Sequence, residues 1–378
     1  MACKKILYVR SGPYKVNLNG YNLQEIGLGK AFCRKGYDVD ILYYSDENKV
    51  QELETETNNH LRILWSKGIR LLRSGVYPSI LKKSFLGKYD IVMISEYSQI
   101  MAVLLSNLHH NVYVYNGPYY NLFKLSFMEY FYDKIFVKKI NRQTKMIFCK
   151  TKMAEDYLVN KGFTRTLPVG VGLDTDNYHK TASIDDHTQD VIDKMKDHKN
   201  VLYVGSISKR KNVELTVKAF INYLQNNLDD KKSQLVIIGK GNKSYTNYCK
   251  SLIPKDLRER IIWIEFLKNA QLKYIYQRAD VFLLPSKQEI FGMVLLEAMY
   301  FGVPVIASLN AGSDTLITDS ENGFIIKDEN IQKWSAKINL LLTNEDLAKS
   351  VGKKATQTIK NEFTWDNIAA KMEKEFKY

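Results

Sequence analysis

Residues 278–308 read RADVFLLPSKQEIFGMVLLEAMYFGVPVIAS. The apolar run 281–284 predicts a strand, and the apolar run 303–307 predicts the next one. Between them, residues 285–288 are a predicted loop and residues 292–300 a predicted helix. A strand, a helix and a second strand in this order form the repeating unit of a parallel sheet covered by helices, so the stretch predicts an α/β fold.

The same alternation extends from this stretch towards the N-terminus. Further predicted strands lie at 5–9, 39–44, 91–95, 112–115, 146–149, 201–204, 234–238 and 261–264. Amphipathic segments such as 20–34 and 212–226 lie between them and predict helices. The pattern stops at about 171–198, a polar stretch with little periodicity, which we interpret as a linker.

This linker predicts two Rossmann-like parallel-sheet domains, at residues 1–171 and 172–360, which face each other across a cleft. Open α/β sheets bind their ligands at the carboxyl ends of the strands, so we expect the ligand there. A last helix within 361–378 could pack on either domain, including back on the first.

Positive charge is concentrated in the first part of the chain. The net charge is +14, and residues 1–150 contain 22 Lys and Arg against 12 Asp and Glu. This excess favours an anionic partner, unless the lysines are simply scattered over a soluble enzyme. No nucleic-acid-binding motif accompanies the charge, so we expect no nucleic acid partner.

The four cysteines are far apart and form no C-x-x-C pair, which is typical of a reducing compartment. No apolar run is long enough for a signal peptide or a membrane span, so we expect a cytoplasmic protein, or one attached to the inner membrane face. The segments 61–85 and 121–145 combine aromatic and basic residues. We interpret them as basic helices whose apolar faces are mostly buried, with anionic lipid as the alternative partner.

A basic loop follows the strand predicted at 201–204. Gly205 comes first, and the adjacent cations Arg210 and Lys211 directly precede a predicted helix, an arrangement that suits phosphate. A solvated charged loop is the commoner fate of such a cluster. The pair Gly239 and Gly241 resembles half of a dinucleotide fingerprint, which is weak evidence for a dinucleotide. We favour a tight turn after a strand, whose backbone could contact a ligand.

Two acids, Glu289 and Glu297, bracket the start of a predicted helix. The backbone N–H groups of Phe291, Gly292 and Met293 would lie at its N-terminus, open to an anion. The acids could bind the hydroxyl groups of a sugar and a ribose. Equally, Glu289 could cap the helix while Glu297 stays on the surface, and spacing alone leaves the two interpretations balanced.

We predict neither a metal nor a cofactor. The D-x-D pairs at 38–40 and 174–176 lack further ligand-type residues, and the six histidines are mostly scattered. A G-x-S-x-G elbow is absent, so acyl transfer has no support.

In the second half, several motifs occur in the order and spacing of a known family. They are Gly205, Arg210-Lys211-Asn212, Gly239-x-Gly241, LPS at 284–286, E-x-F-G at 289–292, GVPV at 302–305 and NGF at 322–324. This part of the chain resembles the retaining glycosyltransferases of family 4 (glycosyl transferases group 1), which have the two-domain GT-B fold. In the first half, Gly20 before a helix resembles the family's glycine loop.

The resemblance implies transfer of a sugar from a nucleotide diphosphate sugar with retention of anomeric configuration, by a metal-independent hexosyl- or other glycosyltransferase. Arg210 and Lys211 would neutralise the diphosphate, and Glu289 would contact the donor sugar. The remaining donor contacts would come from Gly20, Gly205, Phe291, Gly292, Met293 and, on the ribose, Glu297.

Three positions depart from the family. Ser206 replaces a frequent Arg, Phe266 a common Gly, and Asn116 a frequent His. Asn116 can contact a sugar but cannot act as a base, which fits a front-face mechanism in which the donor phosphate accepts the acceptor's proton. We expect a saccharide or polyprenyl-linked saccharide acceptor, in surface polysaccharide or glycolipid synthesis. The alternative is a GT-B-fold binding or scaffolding protein with weak catalysis.

Overall fold

The computed structural model describes residues 3–18, 20, 23–71, 73–123, 125–175, 178 and 183–377. The chain divides into two compact units. Unit 1 comprises residues 1–172 and 363–378, and unit 2 comprises residues 173–362. The polypeptide therefore leaves unit 1 after Gly172 and re-enters it at Phe363.

Unit 1 is built on an eight-stranded sheet with the strand order β10-β9-β8-β7-β1-β2-β4-β3, and β5 and β6 form a separate antiparallel pair. The strands are β1 (Lys4–Val9), β2 (Tyr37–Ser45), β3 (Lys49–Leu53), β4 (Leu61–Lys67), β5 (Ile69–Leu71), β6 (Ser74–Val76), β7 (Ile91–Ser95), β8 (Val112–Asn116), β9 (Met146–Cys149) and β10 (Thr166–Pro168). The α-helices are α1 (Gln24–Arg34), α2 (Lys83–Leu86), α3 (Ile100–Leu108), α4 (Ser126–Gln143), α5 (Lys152–Asn160) and, from the C-terminal segment, α14 (Trp365–Glu373). All neighbours in the large sheet are parallel except β3 and β4.

Unit 2 is built on a six-stranded, wholly parallel sheet with the strand order β13-β12-β11-β14-β15-β16. The strands are β11 (Lys199–Val204), β12 (Ser233–Ile238), β13 (Ile261–Ile264), β14 (Val281–Leu284), β15 (Val305–Ser308) and β16 (Phe324–Ile326). The helices are α6 (Asp186–Met195), α7 (Val213–Asn226), α8 (Lys243–Ser251), α9 (Asn269–Tyr276), α10 (Met293–Tyr300), α11 (Ala311–Leu316), α12 (Ile331–Thr343) and α13 (Glu345–Glu362).

Both sheets contain a point at which the strand order reverses. It lies between β1 and β7 in unit 1 and between β11 and β14 in unit 2. Open α/β sheets bind ligands in the crevice outside the carboxyl ends of the strands at such a point. The predicted α/β class with two Rossmann-like parallel sheets is confirmed.

Two segments differ from their prediction. The stretch 61–85, interpreted as a basic helix, mostly forms β4, β5 and β6, because Leu61 and Ile63 alternate with more exposed residues and point into the core. The predicted linker 171–198 contains α6. Its start is capped by Asp185, whose side chain accepts a hydrogen bond from the Thr188 N–H (2.9 Å), and Val191, Ile192 and Met195 are buried.

No helix within the described part of the chain combines the length and the apolar character needed to cross a membrane.

Candidate active site

The loop after β11 carries the two cations predicted to bind phosphate. It ends in a 3₁₀ turn, Lys209–Lys211, where the Ser208 side chain accepts a hydrogen bond from the Lys211 N–H (3.4 Å). Asn212 then adopts a left-handed φ of 52°, and α7 begins at the next residue. Asn is one of the few residues other than Gly that take this conformation readily, so it joins the turn directly to the helix.

Two hydrogen bonds join the loop after β14 to this turn. Strands β11 and β14 are hydrogen-bonded neighbours. The Lys287 N–H donates to the Arg210 carbonyl (2.9 Å), and Arg210 Nη1 donates to the Gln288 carbonyl (2.5 Å). Both loops therefore meet at the carboxyl edge of the sheet, where its strand order reverses.

Glu289 contacts both cations. Its Oε1 atom lies 2.5 Å from Lys211 Nζ and 3.3 Å from Arg210 Nη1. The side chains of Glu289 and Lys211 are only 9% and 12% exposed, whereas that of Arg210 is 49% exposed. Two cations share one carboxylate, so this cluster of Arg210, Lys211 and Glu289 keeps one positive charge in excess.

The start of α10 lies next to this cluster. Gly292 precedes the helix with a φ of 78°, a left-handed conformation that favours glycine. The Phe291 side chain is buried and that of Met293 half-buried. Most N–H groups in the first turn of a helix have no acceptor within that helix, which suits an anion. In α10 the Leu295 N–H is already bonded to the Gly292 carbonyl (2.9 Å).

Asn310 connects the next loop to the same edge. Its side chain accepts hydrogen bonds from the N–H groups of Gly312 (3.1 Å) and Ser313 (3.0 Å) at the start of α11, and its Nδ2 donates to the Ser286 carbonyl (3.1 Å). The Ser286 hydroxyl is buried and has no hydrogen-bond partner among the described residues. In the sequence Ser286 stood out only as part of the LPS motif, and nothing there predicted an unpaired, buried hydroxyl.

Glu297 is 2% exposed in this structure. Its Oε2 accepts a hydrogen bond from the Tyr276 hydroxyl (2.9 Å), and the Tyr178 hydroxyl also bonds to the carboxylate. Burial, followed by the nearby Glu297 charge, raises the pKa of Tyr178 far above its ordinary value. The predicted contact between Glu297 and a ribose remains a prediction, since two tyrosines bind that carboxylate here.

The other predicted site residues are distributed over both units. Gly205 follows β11 in unit 2, and its N–H donates to the Ile238 carbonyl (3.0 Å). Gly20 lies in unit 1, in an exposed turn ahead of α1. Asn116 ends β8 in unit 1 and is fully buried, with Oδ1 accepting from the Tyr97 N–H (3.3 Å) and Nδ2 donating to the Pro118 carbonyl (3.0 Å).

Residues 185–358 match the family of glycosyl transferases group 1. Unit 2 is a group 1 glycosyl transferase domain. It contains Arg210, Lys211 and Glu289, the residues that the structure brings together.

Curated relatives match slightly less than half of the chain. An uncharacterized glycosyltransferase of Methanocaldococcus jannaschii is 29% identical over 46% of this chain and 43% of its own length. Spore coat protein SA of Bacillus subtilis is 30% identical over 45% of this chain and 46% of its own length. The matched part of this chain therefore spans less than half the length of these relatives.

The likeness in fold extends beyond the group 1 glycosyl transferase domain. Anabaena HepE, solved in complex with UDP, superposes with a TM-score of 0.71 at 16% identity and covers 98% of both chains. The fold is GT-B.

Unit 1 contains a cavity of about 530 Å³ at the carboxyl ends of its strands. Its polar and aromatic lining includes Tyr8, Arg10, Tyr14, Gln24, Glu25, Arg73, Glu96, Gln99, Tyr115 and Lys150. Arg73 Nη1 and Gln99 Oε1 are buried without a hydrogen-bond partner among the described residues. This cavity could not be predicted from the sequence, because its lining comes from six separate segments that no motif connects.

Lys150 is a partly buried cation of this cavity. Its Nζ donates to Gln24 Oε1 (2.7 Å) and lies 4.9 Å from the centre of the Tyr115 ring. Burial lowers the pKa of Lys150, and the nearby charges of Glu25 and Glu96 partly oppose that shift.

A second cavity, of about 740 Å³, borders the 3₁₀ turn of the glycosyl transferase domain. Lys209, Asn212, Tyr245, Tyr248 and Lys287 are among its lining residues, but none of the predicted catalytic residues is. The two cations and the start of α10 converge at Glu289, outside this larger cavity.

Among the described residues, no group of three or more His, Cys, Asp or Glu side chains is placed to hold a metal ion. Independence of metal remains a prediction.

Proposed function

We propose that this protein is a retaining glycosyltransferase that moves a sugar, in particular a hexose, from a nucleotide diphosphate sugar to a saccharide or lipid-linked saccharide. The observation that carries this proposal is the cluster of Arg210, Lys211 and Glu289 beside the start of α10, within a group 1 glycosyl transferase domain.

The cluster suits the departure of a nucleotide diphosphate. When the bond between the sugar's anomeric carbon and the phosphate oxygen breaks, negative charge develops on the diphosphate. Lys211, Arg210 and the N–H groups at the start of α10 would stabilise that charge, and fixed donors of this kind lower the barrier directly. Fixed cations can take the role of a divalent ion, which supports a reaction that needs no metal.

Glu289 has two tasks in this proposal. Its carboxylate holds Lys211 and Arg210 in position, and it accepts hydrogen bonds from hydroxyl groups of the donor sugar. The second task is compatible with the structure because both cations contact the same oxygen of the carboxylate, Oε1.

Retention requires the acceptor to attack on the face from which the diphosphate leaves. The acceptor hydroxyl forms the new bond to the anomeric carbon, and its proton passes to the departing phosphate oxygen. No protein base is then needed at Asn116, whose side-chain atoms are both used by unit 1. This supports the front-face route.

We propose a uridine diphosphate sugar as the donor, because HepE, with a similar fold, was solved with UDP. The acceptor would occupy the cavity of unit 1, whose tyrosines and charged groups suit a saccharide. A lipid-linked acceptor would place the reaction in surface polysaccharide or glycolipid synthesis.

Donor hydrolysis and thermal unfolding test this proposal together. UDP and a panel of UDP-sugars should raise the unfolding temperature of the wild type, because a ligand of the native state stabilises it. One of these sugars should be hydrolysed slowly without an acceptor. Glu289→Gln should retain the shift with UDP and lose the hydrolysis.

A binding or scaffolding protein would give a different result. UDP would raise the unfolding temperature, but no UDP-sugar would be turned over with or without saccharide acceptors. Hydrolysis that persists in Glu289→Gln would contradict the assigned site.

A further inference from the structure

One face of α4 in unit 1 is apolar and exposed to solvent. The side chains of Phe127, Tyr130, Phe131 and Ile135 are 57%, 63%, 56% and 62% exposed, and Leu125, directly before the helix, is 52% exposed. Positions 127, 131 and 135 follow one another at four-residue steps, so they share one helix face. The sequence predicts burial for most apolar residues of 121–145, and for these five side chains that prediction is wrong.

The opposite face fixes the helix to unit 1. Tyr132, Val137 and Ile140 are buried, and the Tyr132 hydroxyl donates to the carbonyls of Tyr97 (2.9 Å) and Gln99 (3.2 Å). A helix that is apolar on both faces normally lies inside a protein or against a partner. In α4 one face packs against the rest of unit 1, and the other apolar face is exposed to solvent.

The charges of α4 are separated between these two faces. Its acids, Glu129 and Asp133, turn inwards and both pair with Lys161, at 3.3 Å for Glu129. Its cations are all exposed and have no carboxylate within 4 Å among the described residues; they are Lys134, Lys138, Lys139 and Arg142. The outward face therefore has large apolar side chains in its first half and positive charge in its second.

We propose that this face of α4 docks on an anionic membrane surface. The rings of Phe127 and Phe131 would enter the boundary between lipid headgroups and acyl chains, and the cations would contact lipid phosphates. A second copy of this chain fits less well, because a symmetric contact would bring the same four cations together.

This docking would bring the cavity of unit 1 close to the lipid. Tyr132, on the inner face of α4, holds the backbone of Gln99, and the Gln99 side chain lines that cavity. The cavity would then lie about one helix diameter, ~10 Å, from the membrane surface. Delivery of a lipid-linked acceptor by this route rests on the proposed function, whereas the docking itself does not.

Co-sedimentation with vesicles tests the docking. At low salt, the full-length protein should sediment with phosphatidylcholine vesicles that contain about 30% phosphatidylglycerol, and much less with phosphatidylcholine alone. Phe127→Ser combined with Phe131→Ser should weaken binding by about tenfold or more. Leu228→Ser, at a 74% exposed position of unit 2, is the matched control and should bind as the wild type does.

A second pair of variants tests the charge separately. Lys134→Glu combined with Lys138→Glu should weaken binding to the anionic vesicles by about tenfold or more, and high salt should do the same to the wild type. Lys353→Glu combined with Lys354→Glu reverses the same number of exposed charges on α13 and should have little effect. All the changed positions on α4 are exposed, so thermal unfolding should match the wild type.

Three results would overturn the proposal. They are failure of the wild type to bind anionic vesicles, unchanged binding in both α4 variants, and equal losses in the control variants. A concentration-dependent dimer that Phe127→Ser with Phe131→Ser abolishes, without vesicle binding, would identify a second copy as the occupant instead. The outcome is separable from donor hydrolysis, which needs no membrane.

Discussion

At the scale of single residues, Lys211 is the cation with the most constrained position. Its Nζ lies 2.5 Å from Glu289, and its side chain is nearly buried, whereas Arg210 is half exposed. A buried cation is a fixed charge that needs little reorganisation when the leaving group departs, and this is where electrostatic catalysis is strongest. We therefore expect Lys211 to contribute more to turnover than Arg210.

Lys211→Ala should lower kcat by about 10²–10³-fold, because the leaving group loses its most fixed positive charge. Steady-state kinetics with the UDP-sugar found by the binding panel would measure this. Lys209→Ala changes the neighbouring, exposed lysine of the same turn and should leave kcat within about threefold of the wild type. Equal effects of the two changes would argue against the assigned role.

Arg210→Ala should lower kcat by a smaller factor, about tenfold, because the charge it removes is more exposed to solvent. Ser206 lies in the same loop, at a position where the resemblance to family 4 leads us to expect Arg. Ser206→Arg in the Arg210→Ala background should restore part of the lost kcat, if one movable cation is needed in addition to Lys211. The same kinetic assay applies, and a double variant no more active than Arg210→Ala would refute this.

The meeting of Arg210, Lys211 and Glu289 could be predicted from the sequence. Each residue follows a predicted strand, and parallel strands end at the same edge of their sheet. The tyrosines on Glu297 could not be predicted, because Tyr178 lies in a stretch without periodicity and Tyr276 sits on another helix. Contacts of this kind depend on how elements pack, which no local pattern encodes.

At the scale of elements, Asp230 connects α7, β12 and the turn before β13. Its carboxylate accepts hydrogen bonds from the side chains of Ser233 and Tyr223 and from the N–H groups of Lys232 (2.8 Å) and Ser233 (2.9 Å), and Arg260 lies 3.6 Å away. Partial burial raises the pKa of Asp230, but these hydrogen bonds outweigh it and bring the value to about 2.

This lowered pKa makes unit 2 sensitive to acid. A carboxylate with a lower pKa in the folded state than in the unfolded state adds stability above its unfolded value of 3.8, and the added stability is lost as the pH falls towards about 2. The contribution is ~2 kcal/mol. Asp230→Asn should therefore unfold more easily than the wild type at pH 6, and the difference should shrink as the pH falls below about 4. Urea unfolding across this pH range measures it, and a difference independent of pH would contradict the assignment.

The contact between α1 and α14 depends on a glycine. A Cβ atom on Gly27 would lie 2.1 Å from Trp365 Nε1, so any larger residue would force the two helices apart. Gly27→Ala should lower the free energy of unfolding by about 1–3 kcal/mol, which chemical denaturation would measure. Gly29→Ala in the same helix should cost less, because its nearest obstacle is the end of the flexible Leu61 side chain. A greater loss in Gly29→Ala than in Gly27→Ala would count against this contact.

There are physical reasons why some elements could not be predicted from the sequence. In strand β4 the alternation of buried and more exposed residues extends over only a few positions and is interrupted by aromatic and basic residues. The same sequence therefore also fits a helix. Helix α6 buries only one narrow face, and its polar residues dominated the interpretation of 171–198. The four exposed apolar side chains of α4 could not be separated from its buried ones by sequence, because apolar residues occur on both faces.

At the scale of the whole molecule, each unit has a large hydrophobic core among the described residues. The order of strands and helices was enough to predict them, because each βαβ unit follows the last along the chain. What the order could not decide was where the C-terminal helix packs. The structure places α14 in unit 1. There Arg34, the last residue of α1, pairs with Asp366 at 2.8 Å, and Lys35, which follows it, pairs with Glu373 at 2.8 Å.

The return of the chain to unit 1 has a consequence for its synthesis on the ribosome. Phe376 packs against Phe32, Tyr37 and Tyr113, yet it is translated after all of unit 2. At about 5–20 residues per second, the 190 residues of unit 2 take roughly 10–40 s to make. During that time the nascent first unit lacks its final aromatic partner, while unit 2 is continuous in sequence and can complete its own core as soon as it emerges.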